Sequence, residues 1–238
     1  MQDYTYFMEK PDVIFHLAAL PRIQPSLKNP KLFLKNNIDS TINILEYAKS
    51  TGATVIFSSS SSTTGNMYAN PYTTSKAIGE QLCRMYYTLY DVNAVSVRFY
   101  NVYGDHMVGD TEFGTVLGIW LDRYEQGLPL TITGDGAQRR DYTHVDDIVD
   151  WLFTAVDNDE LCSMYSPVEL GRGENHSLNE LASLFPDATF KFVSRPKGEM
   201  ADTLSDGEFN GYGWKPHRNV KDFIKEKIEE IENGHGAK

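Results

Sequence analysis

Tyr72 and Lys76 stand four residues apart in NPYTTSK, and a serine run, SSSSSTTG at 58–65, lies just upstream. Residues four apart on a helix share one face, so the ammonium of Lys76 can sit near the phenol of Tyr72. A nearby positive charge favours the phenolate and lowers a tyrosine from its ordinary pKa of about 10. A serine hydroxyl alongside can steady a substrate oxygen that gains or loses a proton. Such a set is a general acid/base for oxidising a carbinol, with a nicotinamide taking the hydride.

These side chains need a scaffold, and the chain alternates strand-like and helix-like segments, the pattern of an α/β layered fold. Residues 12–20 (DVIFHLAAL) form a continuous apolar run, as expected of a parallel strand covered on both faces. Residues 29–51 read as a helix with Leu32, Ile38, Ile42, Leu45 and Ala48 on one side and Gly52 at its end. Strands are expected at 54–58 and 94–99, with a long helix at 73–90 begun after Pro71. Further along, 104–114 reads as a Gly-rich loop, and 116–126, 146–157, 178–184 and 220–232 as helices. Short strands are expected at 130–133, 168–170 and 190–193, with Ser177 leading into the helix at 178.

The chain has 238 residues, 41% hydrophobic and 23% charged, in the range of a soluble globular protein. A formal charge of −11 argues against nucleic acid as a bulk partner. Two cysteines, Cys83 and Cys162, are too few for a disulfide framework and suggest a reducing compartment. No apolar run approaches the roughly 20 residues of a membrane span and nothing resembles a signal peptide, so the expectation is a cytoplasmic protein. His144 with Asp146 and Asp147 is better explained as a helix start rich in acidic caps than as a ligand set, and no metal is expected.

From about Pro11 to Phe223 the chain resembles the extended short-chain dehydrogenase/reductases, specifically the NAD-dependent nucleotide-sugar epimerases and dehydratases of UDP-glucose 4-epimerase type. The resemblance rests on motifs in order: HLAAL at 16–20, LPRIQPSLKNP at 20–30 with NNIDSTINILEYAK after it, VIFSSSSSTTG, NPYTTSKAIGEQL, RFYNVYG at 98–104 and ITGDGAQRRDYTHVDDIV at 132–149. GRGENHSLNELA, SRPKGE and GWKP follow. It implies a Rossmann-like parallel sheet with helices on both faces, N-terminally truncated, plus a small C-terminal α/β substrate-binding lobe. Residues 1–103 would form the partial Rossmann-like domain, with 141–171 returning to it. Residues 104–140 and 172–238 would form the nucleotide-sugar lobe.

Carried over position by position, the resemblance implies Ser60 as the catalytic hydroxyl, with Ser59 or Ser61 taking that place if the register is off by one. Tyr72 would be the proton-transferring base, and Lys76 its activator, also reaching the nicotinamide ribose. Ala18, Ala19 and Asn37 would lie against NAD. Asn101, Arg140 and Arg195 would hold the sugar diphosphate, guanidinium forks fitting phosphate oxygens. Thr131 and Thr133 would read the nucleotide base through main-chain contacts.

Two departures from the family pattern shape the expectation. The family opens with strand, GxxGxxG turn and helix, where a helix N-terminus holds the pyrophosphate. Here MQDYTYFMEKPDVIF resembles the helix before the family's fourth strand, and no GxxGxxG or GxGxxG follows a strand. Ser60 also precedes Tyr72 by only 12 positions, a shorter loop than relatives usually carry. The strand at 12–20 would then be a sheet edge, and an apolar parallel edge calls for a cover. The expectation is a homo-oligomer with contacts in the region 1–20, or a partner protein covering that strand. Function stays open between an NAD-dependent UDP-sugar epimerase, a silent nucleotide-sugar-binding or regulatory protein, and half of a split epimerase. Dehydratases of the family commonly carry acidic residues after the catalytic hydroxyl, whereas Ser61, Ser62 and Thr63 follow here, which leans toward epimerase.

Overall fold

The apolar run read at 54–58 forms a strand that continues two residues further. In the computed structural model, which describes residues 10–109, 111–156, 167–199, 202–205 and 214–235, strand β2 covers Thr54–Ser60. It lies between β1 (Val13–His16) and β3 (Ala94–Phe99), both parallel to it. The sheet order is β1-β2-β3-β6, with β6 at Val168–Leu170. Val55, Ile56 and Phe57 are all buried, which is why both faces of this strand read as apolar. The expected α/β class with a parallel sheet is what the chain adopts. Two compact units result, Met1–Phe99 with Trp151–Glu169 and Tyr100–Asp150 with Leu170–Lys238.

In the first unit, β1 is the edge strand among the described residues, with Phe15 40% and Leu17 53% exposed. It is shorter than the run at 12–20, because the chain leaves the ladder after His16. The first nine residues of the expected contact region at 1–20 lie outside the described residues, as does Cys162. A short helix, α1 (Ile23–Lys28), precedes α2 (Pro30–Thr51). Helix α2 starts with Pro30, which needs no hydrogen-bonded N–H there, and stops at Gly52 in the left-handed conformation (φ 83°). Helix α3 (Pro71–Tyr90) repeats the device: Asn70 caps it by accepting from Thr73 N at 2.8 Å, and Pro71 opens it. Leu45, Ala48, Val55, Phe57, Cys83 and Tyr86 pack into the core of this unit.

The second unit is built on two small sheets. Strands β4 (Leu130–Thr133) and β8 (Phe190–Val193) pair in parallel, and β5 (Arg139–Asp141) pairs antiparallel with β7 (Asn175–Ser177). Helices α4 (Val116–Glu125), α6 (Leu178–Ala182) and α7 (Val220–His235) belong to it, while α5 (Val145–Val156) runs from one unit into the other. Its core gathers Trp120, Leu130, Ile132, Leu181 and Ile224. Ser177 and Glu180 form a reciprocal capping box that fixes the start of α6. Helix α1 and strands β5 and β7 are additions to the sequence reading. Among the described residues, no helix is long and apolar enough to cross a membrane.

One contact sets the distance between α3 and the sheet. A Cβ placed on Gly79 would come within 2.3 Å of the Phe57 ring, so α3 lies against β2 only because this residue has no side chain. Gly79→Ala should lower the urea unfolding midpoint. Overpacking costs about 1–3 kcal/mol and is offset by roughly 1 kcal/mol of helix propensity. A Phe57→Leu change in the same chain should recover most of the loss, which chemical denaturation of the two single variants and the double variant would measure.

Candidate active site

Strand β2 ends at Ser60, whose backbone is extended and whose Oγ caps a 3₁₀ turn at Ser61–Thr64 by accepting from Ser62 N at 3.2 Å. Alternation along the strand then sorts the serines. Ser59 donates to Glu80 Oε1 at 2.5 Å, and Thr63 donates to the same oxygen at 2.8 Å. The hydroxyl left to meet Tyr72 is that of Ser60, which hydrogen-bonds with the phenol.

Tyr72 is the second residue of α3, and its main-chain N–H donates to Ser26 Oγ at 3.2 Å. Ser26 belongs to α1, whose N-cap is Arg22, held at φ 81° where a side chain other than glycine is uncommon. Burial of the phenol raises the Tyr72 pKa above 10.0; the Ser60 hydrogen bond and the Arg22 charge each pull it back. Arg22 is thus a cation that acts on the phenol, and sequence reasoning passed over it. Its role depends on α1 folding back toward α3, and no local pattern carries that signal.

Lys76 takes another place. Its ammonium, in a residue 4% exposed, donates to the Ser58 carbonyl at 2.6 Å and lies 5.1 Å from the Phe57 ring centroid. Burial lowers its pKa to about 8. His16, at the end of β1, hydrogen-bonds with Thr41 Oγ1 at 3.1 Å, and burial together with the Lys76 charge lowers its pKa to about 4. Asn37 ties the loop after β1 in place: Oδ1 accepts from Leu20 N at 2.8 Å, while Nδ2 donates to Leu20 O at 3.2 Å and Ser75 Oγ at 3.0 Å. Ala18 is exposed and Ala19 half-buried in that loop. Small residues just beyond the carboxyl end of a parallel strand leave room for a dinucleotide to approach the main chain there.

The expected diphosphate residues fall in the second unit. Asn101, at φ 27°, donates to Asp141 O at 2.7 Å and to Thr203 Oγ1 at 3.2 Å. Arg140 (12% exposed) and Arg195 (42%) both pair with Glu199, at 3.5 Å and 3.6 Å. The neighbouring Arg139 instead pairs with Glu180 at 2.6 Å, near the surface. On β4, the Thr131 carbonyl accepts from Trp120 Nε1 at 2.8 Å and the Thr133 carbonyl from Gln138 Nε2 at 3.0 Å. His144 and Asp147 serve main-chain groups: His144 Nδ1 accepts from Asp146 N, and Asp147 accepts from His217 N and Arg218 N.

The lowered pKa values of His16 and Lys76 make stability depend on pH with a defined sign. Between about pH 4 and 6.5 the unfolded His16 binds more protons than the folded one, so stability falls on acidification through that window. Between about pH 8 and 10.5 the same holds for Lys76, so its contribution to stability rises with pH there. Urea titrations at stepped pH should show each as a change of about 1–3 kcal/mol. His16→Asn should flatten the acid window and Lys76→Met the alkaline one.

Residues 2–166 match the model of the NAD dependent epimerase/dehydratase family. The chain is 33% identical over 245 residues to the UDP-glucose 4-epimerase of Mycolicibacterium smegmatis, covering 94% of this chain and 77% of that protein. It is 31% identical over 222 residues to a UDP-glucose epimerase of Bacillus subtilis that is described as uncharacterized, covering 86% of this chain and 68% of that one. Among solved structures, the UDP-glucuronic acid 4-epimerase of Bacillus cereus, in complex with UDP-glucuronic acid and NAD, superposes with a TM-score of 0.83 at 26% identity, over 93% of this chain and 76% of that one. By sequence and by fold, the chain belongs to the NAD-dependent epimerase/dehydratase family.

Proposed function

We propose that the chain acts on UDP-sugars as a 4-epimerase, with Tyr72, Ser60 and Lys76 as its proton-transfer set. The observation that carries this reading is the hydrogen bond between Tyr72 and Ser60 at the carboxyl end of β2, with the Arg22 charge acting on the phenol. NAD, when bound, supplies the hydride acceptor and donor. Ala18, Ala19, Asn37, Tyr72 and Lys76 would hold it, Lys76 through its ammonium. Ser60 holds the sugar O4 in place by hydrogen bonding. The Tyr72 phenolate oxygen takes the O4 proton as the sugar C4 becomes a carbonyl, and returns it once the keto sugar has turned its other face. Asn101, Arg140 and Arg195 hold the diphosphate through the turn, and Thr131 and Thr133 line the base. The epimerase-type relatives support the substrate class, each being described by its own UDP-sugar.

The raised pKa of Tyr72 gives this reading a pH signature. The proton acceptor is the phenolate, so turnover should rise with pH toward a limit above 10, the ordinary value for the group. Calorimetric titration with NAD and with UDP, followed by a UDP-glucose/UDP-galactose interconversion assay, tests it. Tyr72→Phe should cost at least ~100-fold in turnover while UDP affinity is kept. Binding of UDP without NAD, and no interconversion at any pH, would replace the epimerase with a nucleotide-sugar-binding protein.

A further inference from the structure

Glu199 occupies the slot between the two arginines assigned to the diphosphate. Its Oε1 lies 3.5 Å from Arg140 Nη2 and its Oε2 3.6 Å from Arg195 Nε. Well-formed guanidinium–carboxylate hydrogen bonds run about 2.7–2.9 Å, so both contacts are long. Glu199 Oε2 is sealed from solvent and has no hydrogen-bond partner, and so is the hydroxyl of Tyr142, a residue only 3% exposed. Burial pushes the pKa of that phenol upward, and the charges of Arg140 and Glu199 also act on it.

The slot thus offers two guanidinium groups, and the carboxylate inside it meets neither at full strength, while Arg140 Nη1 also donates to Arg139 O at 2.9 Å. A diphosphate carries more oxygens over a longer span, and can accept from both forks together. The backbone beside the carboxylate is a turn. Glu199 closes a turn, its N–H donating to Pro196 O at 3.4 Å, and Gly198 before it sits at φ 78°, where glycine moves without steric cost.

We propose that Glu199 is an internal placeholder that sets the affinity of the site: its carboxylate pairs with Arg140 and Arg195 until the diphosphate of a nucleotide sugar displaces it. The proposal rests on the nucleotide-sugar reading above and adds a competitor built into the chain. Because the cost of displacement belongs to the chain, removing it should raise affinity by the same factor for every ligand that takes the slot.

Titration calorimetry on the full chain tests this with two probes, UDP and inorganic pyrophosphate, against wild type, Glu199→Gln and Glu199→Ala. Both variants should bind both probes ~5-fold or more tightly than wild type, with factors for the two probes agreeing within about twofold. Unchanged or weaker binding overturns the proposal, because Glu199 is then a ligand contact or a scaffold. A gain for one probe alone overturns it too. If wild type and variants all fail to bind UDP, the nucleotide reading falls while the placeholder is still decided by pyrophosphate: a gain supports it and no gain ends it. Should a variant not fold, the wild-type Glu199 carboxyl resonance decides by NMR. On adding pyrophosphate it should move to the position of a solvated glutamate, and a resonance that stays in place contradicts displacement.

Discussion

One carboxylate holds the proton-transfer half of the molecule together. Glu80 sits on the same face of α3 as Tyr72 and Lys76, at successive four-residue steps. Its Oε1 takes the hydroxyls of Ser59 and Thr63 and the Arg98 Nε, the last at 2.9 Å. Its Oε2 takes Arg98 Nη2 at 2.9 Å, and Arg98 reaches on to Glu169 at 3.2 Å. A buried ion pair contributes little net stability by itself, but removing one partner strands the other charge at a cost of about 3–5 kcal/mol. Here the pair does something more specific. It fastens the residues on both sides of Ser60 to the helix that carries Tyr72.

The second unit uses the same device with a different residue. Asp141 is fully buried, and its carboxylate accepts from three main-chain N–H groups, those of Arg172, Gly173 and Ser205. Burial raises its pKa while those three donors oppose the rise. A Cβ on Gly171 would meet Ser205 and the Asp141 carboxylate, so the approach of these segments requires a glycine. The main chain of Asp141 in turn anchors the side chain of Asn101, and its strand β5 presents Arg140. Each unit thus anchors several of its polar groups on a buried acid that accepts from three or more donors.

The sequence disclosed the large elements because their causes are local. Parallel strands covered on both faces are continuous apolar runs, and Pro30, Gly52 and Pro71 mark helix ends by their backbone chemistry. Strands β5 (RRD) and β7 (NHS) escaped because they are short and polar and exist only through pairing with each other. Helix α1 carries Pro25 in a six-residue span, too short for a periodic signal. The site divides the same way. Tyr72, Lys76 and the serine run were visible as spacing, and Glu80 could have been seen as the third member of that helix face. Arg22 and the bridging role of Glu199 depend on how separate segments fold back, which spacing does not encode.

The account depends most directly on Ser60 meeting Tyr72 because Glu80 holds the serine segment. NMR titration of isotope-labelled tyrosine, with Tyr72 assigned by its loss in Tyr72→Phe, measures this in wild type, Ser60→Ala and Glu80→Gln. The account predicts a Tyr72 pKa above 10.0 in wild type and a further rise in both variants as the hydrogen bond that favours the phenolate is lost. A Tyr72 titration unmoved by Ser60→Ala would show that the two side chains do not meet, and would contradict the proposed site.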